Sequence, residues 1–230
     1  MPVIATRSKR YKEDAKKAPQ APVSLDQAID IVKGFKATKF DQTVELIMNL
    51  GIDAKQADQI VRGSISLPHG VGKTNRVIAF VADHLADQAK AAGAIRAGGQ
   101  ELVTAIEKEN FTDFDVAIAT PDMMRFVGRL GKVLGPKGLM PSPKAGTVTP
   151  DFQTAIREYS AGKIEFRNDA GGNVHCVVGK QSFDKAKLAD NINAMVNLIR
   201  RMKPATSKGQ YIRKVVIKGT MTPAVMLDVH

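Results

Sequence analysis

The chain has 230 residues, 43% hydrophobic and 25% charged, the usage of a folded protein with room for one large domain or two ordinary ones. Its one cysteine, Cys176, excludes an internal disulfide and a multi-cysteine zinc site; no apolar run approaches the roughly 20 residues that span a bilayer, and the start has no apolar leader. Lys and Arg number 34 against 23 Asp and Glu, a net charge of +11. That balance favours a polyanionic partner and describes a soluble, intracellular protein.

In chain order, Arg7, Lys9, Arg10, Lys12, Lys16 and Lys17 come first and stop at Ala18-Pro19-Gln20-Ala21-Pro22. Residues 1–20 read as a mobile basic arm ending at a proline-marked boundary. Ser24 opens a helix, with Gln27 at the capping-box spacing and Leu25, Ala28, Ile29, Val32 and Phe35 as its apolar stripe. From Phe40 the period becomes two. Val44, Leu46, Met48 and Leu50 face one way and Asp41, Thr43 and Glu45 the other, as in a half-buried strand with a polar outer face. A short helix after Asp53 and a strand from Arg62 to Leu67 follow.

The middle of the chain alternates short apolar strands with helices. Strands are expected at Val77–Val81, near Ile95 and at Val116–Ala119, and helices over Asp83–Ala92, Glu101–Lys108 and Asp122 to about Leu134. This rhythm specifies a parallel sheet covered by helices. The last part starts with a hairpin, strands Lys163–Arg167 and Asn173–Val178 around the turn Asn168–Gly172. A long amphipathic helix carries Leu188, Ile192, Met195, Ile199 and Met202 and ends at Lys203-Pro204. Strands at Tyr211–Lys218 and Val225–Val229 close the chain.

Charge is distributed unevenly. Residues 69–159 hold 11 basic and 10 acidic residues, and the two flanks together hold 23 and 13. No acidic residue occurs from Asn191 to Leu227, a window with Arg200, Arg201, Lys203, Lys208, Arg213, Lys214 and Lys218. One basic run alone reads as a solvated face; two beside a neutral centre point to a polyanionic partner, since basic patches supply the sequence-independent part of nucleic-acid binding through counterion release.

Enzyme chemistry finds little support. Gly70-Val71-Gly72-Lys73-Thr74 looks like the end of a phosphate-binding P-loop, but the first glycine of that pattern is replaced by Leu67, and a strand rather than a helix is expected to follow. The segment reads better as a Gly-rich connection between domains. His175 and Cys176 are strand neighbours whose side chains point to opposite faces. The histidines lack metal-ligand spacing, and no metal or cofactor is expected. Arg125, Arg129 and Lys132 share a helical face, and a Gly- and Pro-rich loop with Lys137 and Lys144 follows. This block suits close approach to a phosphate chain; equally it is a basic helix end facing its own dipole. With 5% aromatic residues and no Trp, structured RNA read by backbone and shape fits better than single strands stacked on aromatics.

Four blocks resemble one family. They are Lys39-Phe40-Asp41-Gln42-Thr43-Val44-Glu45; Asp58-Gln59-Ile60-Val61-Arg62-Gly63 running into Leu67-Pro68-His69-Gly70; Gly128 through Pro143 with Lys144-Ala145-Gly146-Thr147-Val148; and Lys208-Gly209 with Thr220-Met221. The chain is similar, over almost its whole length, to the bacterial large-subunit ribosomal protein L1 family. The resemblance implies an α/β protein of two domains: a discontinuous α+β sandwich of the split βαβ type from residues 1–68 and 160–230, which binds RNA, and an inserted Rossmann-like three-layer α/β domain from 69–159. It implies a cytoplasmic, ribosome-bound non-enzyme, monomeric off the ribosome and with no membrane partner. Such a protein binds a junction of the large-subunit rRNA in the mobile stalk by the tRNA exit site, assists release of deacylated tRNA and represses translation of its own-operon mRNA. A free RNA chaperone or general nucleic-acid binder is the alternative.

Carried over by residue, the resemblance implies RNA contacts at Lys39, Phe40, Thr43, Glu45, Arg167, Asp169, His175, Thr220, Met221 and Thr222, and contacts of the inserted domain with exit-site tRNA at Arg125, Arg129, Lys132, Lys137 and Lys144. Phe40 has the parity of the apolar face, so it is either an RNA contact or a core residue, and Met221 is either packing or a soft apolar contact. Thr222 stands where the family pattern has Gly; its hydroxyl is available in principle to RNA, while the backbone path there is open to change.

Overall fold

A computed structural model describes residues 7–109 and 111–228. Its elements, in chain order, are helices α1 (Lys9–Lys17) and α2 (Leu25–Gly34); strands β1 (Thr43–Leu50), β2 (Arg62–Ile65) and β3 (Val77–Phe80); helix α3 (Ala86–Ala91); strand β4 (Arg96–Gly98); helix α4 (Gln100–Glu109); strand β5 (Val116–Ala119); helices α5 (Met124–Val127), α6 (Gly131–Leu134) and α7 (Phe152–Ser160); strands β6 (Ile164–Arg167) and β7 (Asn173–Lys180); helix α8 (Lys185–Arg201); and strands β8 (Ile212–Gly219) and β9 (Val225–Leu227). The chain forms two compact units. One takes residues up to 61, 67–72 and those from 166 on; the other takes 62–66 and 73–165.

The first unit is a four-stranded antiparallel sheet in the order β7-β1-β8-β9. Both β7 and β8 run antiparallel to β1, so they are parallel to each other with β1 between them, and α8 makes the crossover. This is a split βαβ arrangement. Alternation along β1 explains the layering: Val44, Leu46, Met48 and Leu50 are buried, while Thr43, Glu45, Ile47 and Asn49 are half-exposed on the other face. The buried side chains Ile29 and Val32 of α2 and Leu188, Ile192, Met195 and Ile199 of α8 complete this layer, each contributing roughly 1.5–3 kcal/mol of transfer free energy. Asn191 lies within the same buried stripe and is fully satisfied. Its Nδ2 donates to the carbonyls of Gly70 and Val178 (2.9 and 2.8 Å), and its Oδ1 accepts from His69 N–H at 3.1 Å.

The described part of the basic arm is a docked helix rather than a mobile tail. The Ser8 hydroxyl caps α1 by accepting from Tyr11 N–H at 3.2 Å. Asp14 is buried and accepts from Lys36 N–H at 3.2 Å. Arg10 donates to the carbonyls of Lys36 and Met221 at 3.2 and 3.0 Å, and Lys36 pairs with Glu13. These anchors are polar, so a hydrophobic pattern does not reveal them; residues 1–6 of the expected arm lie outside the described residues. Three further expectations are corrected. Residues 53–60 are turns, not a helix, held by Asp53 and Gln59. Ser24 precedes α2 but its side chain makes no capping bond. The segments around Asn168–Gly172 are not a hairpin: β6 pairs with β2 and β7 with β1, and only an isolated Asn168–Val174 bridge joins them. Strand β9 ends at Leu227, and Val229 lies outside the described residues.

The second unit is a parallel sheet, β4-β3-β5, with helices on both faces. All four residues of β3 are buried, as a strand covered on both sides requires. Ile78, Phe80, Ala117 and Ala119 pack with Val103, Ile106, Val127, Leu130 and Leu134. Val77, Ala79, Val81 and Ile118 pack on the other side with Ala89 of α3 and Ile156 and Tyr159 of α7. Helix α7, capped by Asp151 and apolar at Phe152, Ala155, Ile156 and Tyr159, was not expected from the sequence. The single helix expected from Asp122 to Leu134 is instead broken by 3-10 turns at Pro121–Met123 and Gly128–Leu130; glycines at 128 and 131 lower helix propensity there. The α+β sandwich and the three-layer α/β unit together are the expected fold class.

Candidate nucleic-acid interface

The start of β1 and the β8–β9 turn form one constellation. Thr43 N–H donates to the Thr220 hydroxyl at 3.2 Å, and that hydroxyl lies 3.3 Å from the Thr43 carbonyl. The Thr43 hydroxyl accepts from the Lys180 ammonium at 2.9 Å. Two residues on, Glu45 faces Lys218 across the β1–β8 ladder, with 3.3 Å between their charged atoms. In the segment leading into β1 and in the β8–β9 turn, Phe40 and Met221 are each 52% exposed. Phe40 is therefore not a core residue. Strand β1 begins only at Thr43, and its parity does not extend back to position 40. Lys39 is exposed beside it.

The turn holding Met221 is fixed from below. Gln42 is fully buried; its Oε1 accepts from Met221 N–H at 2.8 Å and its Nε2 donates to Gln181 Oε1 at 3.1 Å. Thr222 is also buried, 6% exposed, and its hydroxyl accepts from Gly219 N–H at 2.8 Å and reaches the Pro223 carbonyl at 3.1 Å. The expectation that Thr222 offers its hydroxyl to RNA is thus corrected: it closes the turn from inside and leaves Thr220 and Met221 as the outward residues. On β7, His175 is 56% exposed and lies 3.9 Å from Asp169. The Asp169 carboxylate accepts from the Asn173 side chain at 3.0 Å and from the backbone N–H groups of Asn173 and Gly171 at 2.7 and 2.8 Å. These bonds, the Asn173 side chain foremost, hold its acidity below the usual carboxylate range. Arg167 is exposed at the end of β6. The site thus offers apolar faces for bases and riboses, fixed acceptors for 2′-hydroxyls or exocyclic amines, and cations for phosphates.

In the second unit Arg125, Arg129, Lys132, Lys137 and Lys144 are all exposed. Arg125 stacks over the Phe126 ring at 4.5 Å, and Lys137 donates to the Thr112 hydroxyl at 2.6 Å. The loop carrying Lys144 is anchored. Tyr159 donates its hydroxyl proton to the Ala145 carbonyl at 2.6 Å, and Thr147 bonds Ser142 N–H at 2.8 Å and runs into a bridge between Val148 and Ala119. The Gly70–Thr74 segment leads into β3, not a helix, and Lys73 is engaged by Asp115 at 2.8 Å. Among the described residues no group of three or more His, Cys, Asp or Glu is placed to hold a metal, and no helix is long and apolar enough to cross a membrane.

The model of the ribosomal protein L1p/L10e family matches residues 32–223, a span that contains every site residue just described. The chain belongs to this family. It is 50% identical over 223 residues to the large ribosomal subunit protein uL1 of Kosmotoga olearia, covering 96% of each chain. It is 50% identical over 222 residues to that of Thermosipho africanus, again at 96% of each, and 48% identical over 223 residues to that of Thermobifida fusca, covering 96% of this chain and 94% of the relative.

Within this L1-family chain the structure brings Thr43, Glu45, Thr220 and Met221 onto one end of the sheet, and His175 and Asp169 together on the β7 side. Sequence reasoning missed Gln42, Lys180 and Arg10. The signal for Gln42 is its parity with Val44 and Leu46, which puts a polar residue at a core-facing position just before β1. Lys180 and Arg10 act through contacts across 137 and 211 residues of sequence, which no local pattern encodes.

Proposed function

We propose that this L1-family chain is a structural constituent of the large ribosomal subunit that binds a junction of the large-subunit rRNA through its first unit, residues up to 61, 67–72 and from 166 on, and so forms the mobile stalk beside the tRNA exit site. The same surface binds a similar fold in the chain's own-operon mRNA and represses its translation. The second unit, 62–66 and 73–165, reaches the departing deacylated tRNA through Arg125, Arg129, Lys132, Lys137 and Lys144. The protein works on the cytoplasmic ribosome as a binder, not an enzyme, and is a monomer off it.

One observation carries this reading: two large apolar side chains, Phe40 and Met221, are exposed in the two segments that the Thr43–Thr220 bond ties together. Exposing them costs free energy that a base or ribose surface recovers. Recognition works by shape. The Gln42-braced turn presents Met221, Glu45 and Thr43 supply acceptors, and Lys39 and Arg167 neutralise phosphates. The test is rebinding of the purified chain to large subunits lacking it, in competition with free junction RNA and with an unrelated duplex. Displacement by the junction alone is expected. Equal displacement by both describes a general nucleic-acid binder instead.

A further inference from the structure

A pocket of about 430 Å³ opens between α1 and the β8–β9 turn, a volume within the roughly 300–1,000 Å³ that ligand sites occupy. Arg7, Arg10 and Lys218 line it, with Tyr11, Thr220 and Met221, and no carboxylate is among its lining residues. Its charges are fixed in different ways. Arg10 spends two donors on the carbonyls of Lys36 and Met221, which seats α1 against the turn and leaves its charge at the pocket wall. Arg7 is exposed and stacks over the Tyr11 ring at 4.8 Å from the centroid. Lys218 shares its charge with Glu45 on the sheet side. Arg7 and Arg10, with no carboxylate in the lining to oppose them, select an anionic occupant, and the shared wall of Thr220 and Met221 makes the pocket continuous with the candidate RNA interface.

We infer that this pocket takes one backbone phosphate of the RNA strand that leaves the Thr43–Thr220 site, with Arg7 as its direct partner. The inference rests on the proposed RNA-binding function and extends its footprint to α1, outside the family match at 32–223. Arg7 then acts as a specific ion-pair donor, not as one member of a diffuse basic tail.

The test is a salt titration, from 50 to 200 mM, of junction RNA binding by the full-length chain as wild type, Arg7→Ala and Lys16→Ala. Lys16 is an exposed cation of α1 outside the pocket. Losing one phosphate contact lowers the slope of log affinity against log salt by about 0.7–0.9, so the Arg7→Ala deficit shrinks roughly threefold across that range. Lys16→Ala should keep the wild-type slope. Equal slope changes in both variants, or an unchanged Arg7→Ala, overturn the inference while the wild type still prefers the junction. A wild type that binds an unrelated duplex equally well overturns the proposed function as well. Thermal unfolding of Arg7→Ala should match wild type, since Arg7 is exposed.

Discussion

Gln42 braces the Met221 turn from inside without reaching the surface. Replacing it with Ala removes the bond to Met221 N–H and the bond to Gln181, each worth about 1 kcal/mol net. It also leaves a void where a fully buried side chain stood, which adds a cavity cost. The expected loss is about 2–4 kcal/mol, a large share of a typical domain's 5–15 kcal/mol. Gln42→Met keeps most of the volume and loses the bonds, so it should cost about 2 kcal/mol. Cys176 provides the assay. It is buried on β7, and burial pushes its thiol up to about 12, so alkylation is slow until the first unit opens. Urea titrations read by Cys176 alkylation should show both midpoints lowered, Ala more than Met. Junction RNA affinity should fall for both, because the Met221 turn is no longer braced. An unmoved midpoint refutes the packing argument; a lowered midpoint with unchanged RNA affinity refutes the positioning role.

Thr220→Ala and Glu45→Ala should weaken junction binding about tenfold or more while changing binding to an unrelated duplex far less; equal losses on both RNAs would exclude a role in readout. Glu45→Ala should leave thermal stability nearly unchanged, because its pair with Lys218 is partly exposed and such pairs contribute roughly 0–1 kcal/mol. Arg129→Glu with Lys132→Glu should reduce tRNA affinity in a filter-binding assay and leave junction affinity intact; the reverse pattern would reassign the basic block. Asp115 is held at about 2 by the Lys73 ammonium and then by Arg76 N–H. A folded-state value below the ordinary 3.8 contributes stability that is present above that value and lost as pH falls toward 2. Asp115→Asn should therefore be less stable than wild type at pH 6, with the gap closing between about pH 4 and 2 in acid titrations by circular dichroism; a constant gap would contradict the assignment.

The sequence was most legible where one face alone decides a residue. The alternation along β1 announced both the buried Val44, Leu46 and Met48 and the outward Thr43 and Glu45, and the apolar run at Val77 announced a doubly covered strand. Legibility failed where polar, long-range contacts decide. Helix α1 is seated by Arg10 and Asp14 on partners far along the chain, so a basic run looked like a loose tail. The Asn168–Gly172 turn looked like a hairpin because local turn chemistry does not say that β6 and β7 join different sheets. Helix α7 is legible in principle, since Asp151, Phe152, Ile156 and Tyr159 carry a cap and an apolar stripe, but the domain boundary expected at 159/160 cuts its last turn. At the site, Phe40 was ambiguous because parity alone does not fix where a strand starts, and Thr222 was placed at the surface because its bonds to Gly219 and Pro223 close only in three dimensions.

Everything proposed for the first unit rests on specific recognition of an RNA junction by the Thr43–Thr220 end of the sheet. The most direct measurement titrates salt against binding of the purified chain to the rRNA stalk junction and to an unrelated duplex of equal length. A junction preference of about three orders of magnitude that persists as salt rises is expected, because only the electrostatic part decays with log salt. Two RNAs that bind alike and weaken together would contradict it and leave the surface as a basic adhesive.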